Sequence, residues 1–481
     1  MPYSKTPVVQ TYETKRINFI SNPQQRSGNG NKDFRLVNMM TDVVNSPIGD
    51  QKKYYIKSRP GMDLAFTTQT GEGRGIYYWV LGGVGYAMAA VGNKIYSNGT
   101  AVLTLATSTG KVGFSEFVSS TGTVSLVVVD GTNGYVFSNA TTAVQITSSN
   151  FPTPHIPTPI FLDGYMFLAK PNTEDIYNSD LDNPALWTAG NFISAEMYPD
   201  TIVGLSKNNN FLYAVGSSSV EYFYDAANAT GSPLGRQAPA VQQFGSAAMA
   251  SIVQTEKEVI FIGETNDGGH TVWTIDGFKE NEIGIQAIKS ALLEADGDVA
   301  NARAFAIRTG GQKLYVISLP LRTLVYSFDT KMWSEWQTSS GAFIGIYATD
   351  GPNGSAYILD GTNGNVYIMD EDRFTDAGTA ITCSVTSAKL DFDTINRKWM
   401  YRLSIIGDVP DDTSVDSAVM VSWSDDDYKT FSTPRTLKFN ADLPALFQLG
   451  QFRRRALKLT YSLPHLLRIE AVECDINKGS S

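Results

Sequence analysis

Few side chains in this sequence have the type and spacing that chemistry needs. There are three histidines: His155 amid prolines, His270 after two glycines and His465 after a proline. None lies at ligand spacing from another His, Asp or Glu, so each reads as a surface or turn residue rather than a metal ligand. "EADGD" (Glu294–Asp298) opens like a calcium loop. The twelfth position, however, is Ile307 counted from Asp296 and Phe305 counted from Glu294, so the bidentate Glu is missing and an exposed helix end fits better. "GEGRG" (Gly71–Gly75) lacks the Lys-Ser/Thr and the helix of a phosphate loop, and reads as a turn leading into a strand. Cys383 and Cys474 stand 91 residues apart with no CxxC, which points to two buried free thiols. "FRRRALK" (Phe452–Lys458) is the densest basic run. Its Arg453, Arg454 and Arg455 suit an acidic surface on a neighbouring subunit, or a solvated strand face, better than a nucleic-acid site. No catalytic, cofactor-binding or metal site emerges.

"SDDDYKTF" (Ser424–Phe431) nearly matches the Asp box of sialidases, with Tyr428 where that motif has glycine. Such boxes brace hairpin turns and do not catalyse. A glycosidase also needs paired carboxylates flanking a cleft, and no such pair can be assembled.

Charge narrows the partners. The chain of 481 residues has a formal net charge of −10. A nucleic-acid clamp works through Lys and Arg releasing counterions, whereas an acidic wall lets a duplex slide past. The N-terminus has no apolar signal core, and no run approaches the roughly 18 apolar residues of a membrane span. The expectation is a soluble protein made in the cytoplasm, with no membrane insertion. Four N-x-[ST] sequons, at Asn98, Asn139, Asn228 and Asn353, then read as turn chemistry.

The elements that must position these residues announce themselves as a repeat. Seven hairpins recur, each an apolar strand, a Gly/Asn/Ser turn and a second strand closing on an apolar or aromatic residue. The closing residues are Tyr96, Phe137, Tyr177, Tyr224, Ile275, Phe328 and Met369, at intervals of 41, 40, 47, 51, 53 and 41 residues. A propeller blade takes about 40–50 residues. The fold class is therefore all-β: a propeller of about seven blades, with six also admissible and an N-terminal strand able to complete a blade begun elsewhere. "DGTNG" (Asp130–Gly134, again Asp360–Gly364) supplies residues that tolerate positive φ.

Two intervals carry insertions. "DAANATGSPLGRQAPAVQQFGS" fits no strand pattern and reads as a long loop, Ala226–Gly245. Ile283, Ile285, Ala287, Ile288, Ala291 and Leu292 repeat every three to four residues and predict one short inserted helix, Glu282–Glu294. After Asp376 the rhythm breaks into strands without blade spacing, as in a β-sandwich. Residues 1–35 carry six basic side chains (Lys5, Lys15, Arg16, Arg26, Lys32, Arg35) against two acids (Glu13, Asp33), and read as an extended arm. The expected domains are 1–35 arm, 36–377 propeller and 378–481 C-terminal β-sandwich. Candidate interface residues are Ala226, Pro233, Arg236, Pro239 and Phe244 in the loop, Glu282, Lys289 and Glu294 in the helix, and the three arginines above.

Several segments resemble the packaged-DNA stabilisation (tail hub or nozzle) proteins of P22-like short-tailed bacteriophages. They are "RLVNMM…SRPGM"; "PDTIVGLSKNNNFLYAVGSSSVEYFYD", in which Gly216, Ser217, Ser218, Val220, Glu221, Tyr222 and Phe223 occupy the family's run; "IGIQAIKSALLEAD"; "LYVISLP"; "WSDDDYKTFSTPRTLKFN"; and "LGQFRRRALKLTY". The resemblance implies a non-enzymatic virion protein without cofactors, assembled in host cytoplasm. It implies a homohexameric ring below the portal and adaptor that closes the filled capsid, retains packaged DNA and forms part of the ejection channel. Its partners would be the adaptor and portal proteins, tail spike, fibre or needle proteins, and genomic dsDNA passing without sequence-specific binding. The alternatives are a carbohydrate-active or receptor-binding propeller of sialidase or lyase type, and a monomeric protein-interaction propeller.

Overall fold

The computed structural model describes residues 12–19, 34–45, 52–264, 268–295, 297–338, 341–408, 417–441 and 443–479. It divides into two compact units. One comprises Pro60–Asp329 and Trp336–Asp372; the other comprises Met1–Arg59, Thr330–Glu335 and Arg373–Ser481.

The first unit is the propeller. Five four-stranded antiparallel sheets lie wholly within it, and four strands of a six-stranded sheet make a sixth blade. Blade A is Gly73–Leu81, Val84–Val91, Lys94–Ser97 and Thr100–Thr104. Blade B is Gly113–Val118, Val124–Val129, Gly134–Asn139 and Thr142–Gln145. Blade C is Ile160–Leu162, Tyr165–Ala169, Asp175–Asn178 and Phe192–Ser194. Blade D is Ile202–Asn208, Phe211–Gly216, Val220–Asp225 and Leu234–Gln242. Blade E is Val253–Gln254, Val259–Glu264, His270–Asp276 and Lys279–Glu282. Blade F is Gly345–Asp350, Ala356–Asp360 and Val366–Asp370, completed by the early strand Gly61–Phe66. Between blades E and F runs a further ladder of Arg303–Thr309, Gln312–Ser318, Thr323–Ser327 and Met332–Thr338, the last strand paired onto the third and divided between the two units. The spacing that suggested about seven blades thus meets six blades and this ladder.

The sequence repeat has a structural meaning. Each closing residue lies on the third strand of its sheet, or directly after it in the case of Phe328. The near-continuous apolar runs follow from burial on both faces. In Val124–Val129, Leu126 and Val128 enter the core shared with blade A, while Val127 and Val129 enter the core shared with blade C. Period-two alternation is present, but both phases are apolar. Each such fully buried side chain stabilises by about 1.5–3 kcal/mol.

Two expectations change here. The insertion after Tyr224 contains the outer strand of blade D, Leu234–Gln242, paired to Val220–Asp225 across a register shift. An outer strand faces solvent along one edge and tolerates Pro239, so neither an apolar pattern nor an unbroken donor row is required of it. The helix forms over Gln286–Glu294 (α1), starting later than expected because Lys279–Glu282 pairs with His270–Asp276 as a strand.

The second unit is built from both ends of the chain. One sheet orders Met39–Asn45, Lys52–Ser58, Arg468–Lys478, Lys398–Gly407 and Ala445–Phe447, with Glu13–Ile17 paired onto Arg468–Lys478. A second set of pairings joins Arg35–Val37, Cys383–Thr386, Ala456–Tyr461, Ala418–Ser424 and Arg435–Lys438. Leu36, Val385, Val421 and Leu459 share one core with Ile56, Leu403, Ile405 and Val472. The propeller therefore begins at Pro60, not at 36, and residues 378–481 do not make up their unit alone. Apolar strands announce a sheet but not which sheet recruits them. Of the expected arm, Glu13–Ile17 is a paired strand, with Arg16 Nη2 at 2.6 Å from Glu470 Oε1. The positions 1–11 and 20–33 lie outside the described residues.

The two copies of "DGTNG" share one device and differ in another. Asp130 Oδ1 accepts the N–H groups of Thr132 (3.0 Å) and Asn133 (2.7 Å); Asp360 Oδ1 accepts those of Thr362 (2.8 Å) and Asn363 (3.3 Å). Positive φ falls on Gly131 (91°) in the first turn and on Gly364 (72°) in the second. A Cβ on Gly364 would lie 2.3 Å from Val91 Cγ1, across the closure of the ring, whereas one on Gly131 meets nothing nearer than 3.8 Å. Urea unfolding should show Gly364→Ala losing about 2–4 kcal/mol and Gly131→Ala only about 1. Equal losses would contradict this closure.

Candidate functional site

The motifs that looked chemical are brought together in structural roles. In "SDDDYKTF" each aspartate does a different job. Asp425 holds the Arg455 guanidinium through two hydrogen bonds, Nε–Oδ1 at 2.8 Å and Nη2–Oδ2 at 2.7 Å. Asp426 accepts the Thr430 hydroxyl (2.6 Å) and amide (3.0 Å), the Ser424 hydroxyl (2.9 Å) and the Lys429 amide (3.1 Å). These bonds, led by Thr430, hold its carboxyl down to about 2. Asp427 pairs with Lys389. Tyr428 adopts φ 64° and donates its hydroxyl to Ser387 O (2.9 Å). The motif braces a turn, as its likeness suggested.

The basic run splits. Arg453 and Arg454 are exposed, whereas Arg455 is only 1% exposed. Its guanidinium also donates to Leu449 O (2.8 Å) and lies 4.4 Å from the Phe452 ring centroid. His155 is buried, not on the surface. Its Nδ1 donates to Pro152 O (2.9 Å) and its Nε2 accepts the Gly131 N–H (3.2 Å), so it props the "DGTNG" turn of blade B. Burial lowers its pKa. His270 opens the third strand of blade E, and His465 is half-buried in a loop of the second unit. Asp296 of "EADGD" lies outside the described residues. Among those described, no three His, Cys, Asp or Glu side chains cluster to hold a metal ion. Cys383 and Cys474 are both free and buried.

Of the candidate interface residues, Pro233 and Phe244 are buried, Phe244 stacking on Trp273 at 4.3 Å. Ala226 is half-buried, and its amide donates to Pro233 O (2.8 Å). Arg236 donates to Ser194 O (2.7 Å), with Nε 3.1 Å from the buried Glu221, whose carboxyl burial pushes up. Pro239 belongs to the outer strand of blade D. Lys289 of α1 pairs with Glu282 (2.6 Å), and Glu294 pairs with Arg322 (2.6 Å). Beside that second pair Leu293 is 69% exposed and Leu321 83%.

Sequence reasoning missed the propeller's axis. The inner strands of the six blades and of the ladder enclose a cavity of about 660 Å³. Its lining includes Tyr77, Lys111, Glu116, Phe161, Lys207, Gln254, Tyr347, Thr349 and Asp350. The whole lining comes from seven separate stretches of chain, which share no spacing that could have revealed them. A partial signal existed for the residue that fixes this mouth. Arg74, inside "GEGRG", is fully buried and donates to Gly92 O, Thr107 O and Oγ1, Thr109 O and Gly110 O at 2.6–2.8 Å.

The sequence model of the family described as bacteriophage P22 Gp10, β-propeller, matches residues 22–373. The chain is similar to the tail hub protein gp10 of Salmonella phage P22, with 25% identity over 312 residues. That alignment covers 61% of this chain and 62% of the relative, so the chain spans less than two thirds of the relative's length. Among solved structures, a streptogramin B lyase aligns over 69% of this chain and 98% of its own, at 13% identity and TM-score 0.40. The virginiamycin B lyase of Staphylococcus aureus aligns over 69% and 99%, at 11% identity and TM-score 0.41. Likenesses this loose carry no statement about chemistry.

The split of the basic run is measurable. Arg455→Met should cost about 3 kcal/mol by stranding Asp425 and a carbonyl, while Arg453→Ala and Arg454→Ala should each stay within about 0.5 kcal/mol. Chemical denaturation of the three variants checks this, and three equal losses would refute it.

Proposed function

The chain belongs to the bacteriophage P22 Gp10 β-propeller family, and from that premise we propose that it is a structural, non-enzymatic protein of a short phage tail. The family match over residues 22–373, which takes in the whole propeller unit, carries this reading. In it, several copies form a closed ring, a homohexamer, beneath the portal and adaptor. The ring retains packaged DNA, lines part of the ejection path, and offers surfaces to spike, fibre or needle proteins. The particle assembles in host cytoplasm.

Size decides where the DNA would run. A duplex whose major groove alone is about 12 Å wide and about 8.5 Å deep does not fit through an axial cavity of about 660 Å³. The conduit in this reading is therefore enclosed between copies of the chain, with each propeller serving as a block in the wall. A wall of chains that each carry −10 would repel phosphate and let the duplex slide.

A closed ring needs two different surfaces on each copy. We assign one to α1 and its neighbourhood, where exposed Leu293 and Leu321 flank the Glu294–Arg322 pair beside Glu282 and Lys289. The other takes in the outer strand of blade D with Ala226, Arg236 and Pro239, or the exposed Arg453 and Arg454 of the second unit. Pro233, Phe244 and Arg455, being buried, shape these surfaces from beneath.

Light scattering on the purified chain, alone and with its phage's portal–adaptor complex, tests the assignment. The expected result is a monomer that becomes a ring only with the adaptor, with Leu293→Asp and Leu321→Asp each cutting ring yield at unchanged thermal midpoint. A monomer indifferent to the adaptor would sink the reading and turn attention to glycans at the propeller faces.

A further inference from the structure

The axial cavity carries two cations and two carboxylates on its lining: Lys111, Lys207, Glu116 and Asp350. Three of them are satisfied within the protein. Glu116 accepts the Tyr77 hydroxyl at 3.1 Å, Lys207 Nζ donates to Phe161 O at 2.7 Å, and Asp350 Oδ1 accepts the Arg308 amide at 2.7 Å. Lys111 is different. Among the described residues its ammonium has neither a hydrogen-bond acceptor nor an ion-pair partner, although it is half-buried on the cavity wall. A half-buried ammonium that faces a cavity without an ion-pair partner gains one from a bound anion.

The lysine is also held ready. The buried Arg74 guanidinium fixes the three residues on its N-terminal side through Thr107, Thr109 and Gly110, and the Val112 amide beyond it donates to Arg74 O at 2.8 Å. With the backbone on both sides already held, only the lysine side chain has to be ordered on taking a ligand. The cavity volume falls within the roughly 300–1,000 Å³ of small-molecule sites.

We propose that the propeller's axial cavity binds a small oxyanion or carboxylate through Lys111. Glu116 and Asp350 on the same wall disfavour a polyanion, so the ligand class is singly or doubly charged, not a polyphosphate. The binding stands apart from any role in a tail, because it belongs to the isolated chain.

Protonation supplies a second readout. Burial alone lowers the Lys111 ammonium to about 8, and a bound anion must raise it. Of the other titratable groups on the wall, burial raises the Tyr77 and Tyr347 hydroxyls and the Asp350 carboxyl and lowers the Lys207 ammonium toward that of Lys111, so the readout has to be resolved residue by residue.

Equilibrium dialysis of the full chain against labelled inorganic phosphate at neutral pH tests the proposal. One phosphate per chain should bind saturably. Affinity should fall at least about tenfold in Lys111→Met and stay within about threefold in Lys207→Met. Lysine NMR on the unmutated chain guards against a variant that fails to fold, and its Lys111 signal should titrate at higher pH with phosphate present. No saturable binding, full affinity in a folded Lys111→Met, or an unmoved Lys111 titration would each overturn the site.

Discussion

The propeller depends on one antiparallel pairing between distant parts of the chain. Gly61–Phe66 hydrogen-bonds to Val366–Asp370, so the first strand of the unit completes the sheet begun by the last three. Without it blade F would lose its outer strand and the ring would be held shut only by side-chain packing. With it the core between blades F and A, where Ile76, Val91 and Tyr96 meet Ile346, Leu359 and Val366, becomes one more inter-blade core like the others. The contact is tight enough that Gly364 has no room for a side chain. Closure also fixes the circumference, and with it the size of the axial cavity and the mutual placement of its charges.

Buried arginines take the structural load that a metal or a disulfide could have carried. Arg74 gathers the loop between blades A and B. Within the second unit Arg59 holds Asp376 and Asn38, and Arg455 holds Asp425. All three guanidiniums are essentially excluded from solvent. Each is paired with carbonyls or a carboxylate, which is the condition under which a buried charge is tolerated. This explains why "GEGRG" and "FRRRALK", which advertise charge and glycine, yield architecture and not catalysis.

Much of the fold was legible because the repeat is a packing requirement. Residues such as Phe137 and Tyr177 that close a hairpin fill the space between blades, and so recur at blade spacing, whereas Tyr224 keeps the spacing while 39% exposed. The helix was legible from its 3–4 periodicity. What stayed hidden was recruitment. Arg35–Val37 and Lys52–Ser58 look like the propeller's first strands, yet they pair with C-terminal strands hundreds of residues away. The outer strand of blade D was hidden because an edge that faces water leaves no apolar signature. The cavity residues were hidden for a third reason: Lys111, Lys207 and Asp350 meet only because the ring closes, and closure leaves no local trace. His155 misled because prolines on either side suggested exposure, while its ring in fact props a turn.

We propose that this chain is a block in the wall of a DNA conduit formed between copies, its own axis too narrow to serve. Electron cryomicroscopy of the DNA-filled virion tests that directly. The account predicts several copies below the portal and adaptor, DNA density enclosed between them, and no duplex along any propeller axis. Absence of the chain from the tail, or a duplex threading a propeller, would contradict it.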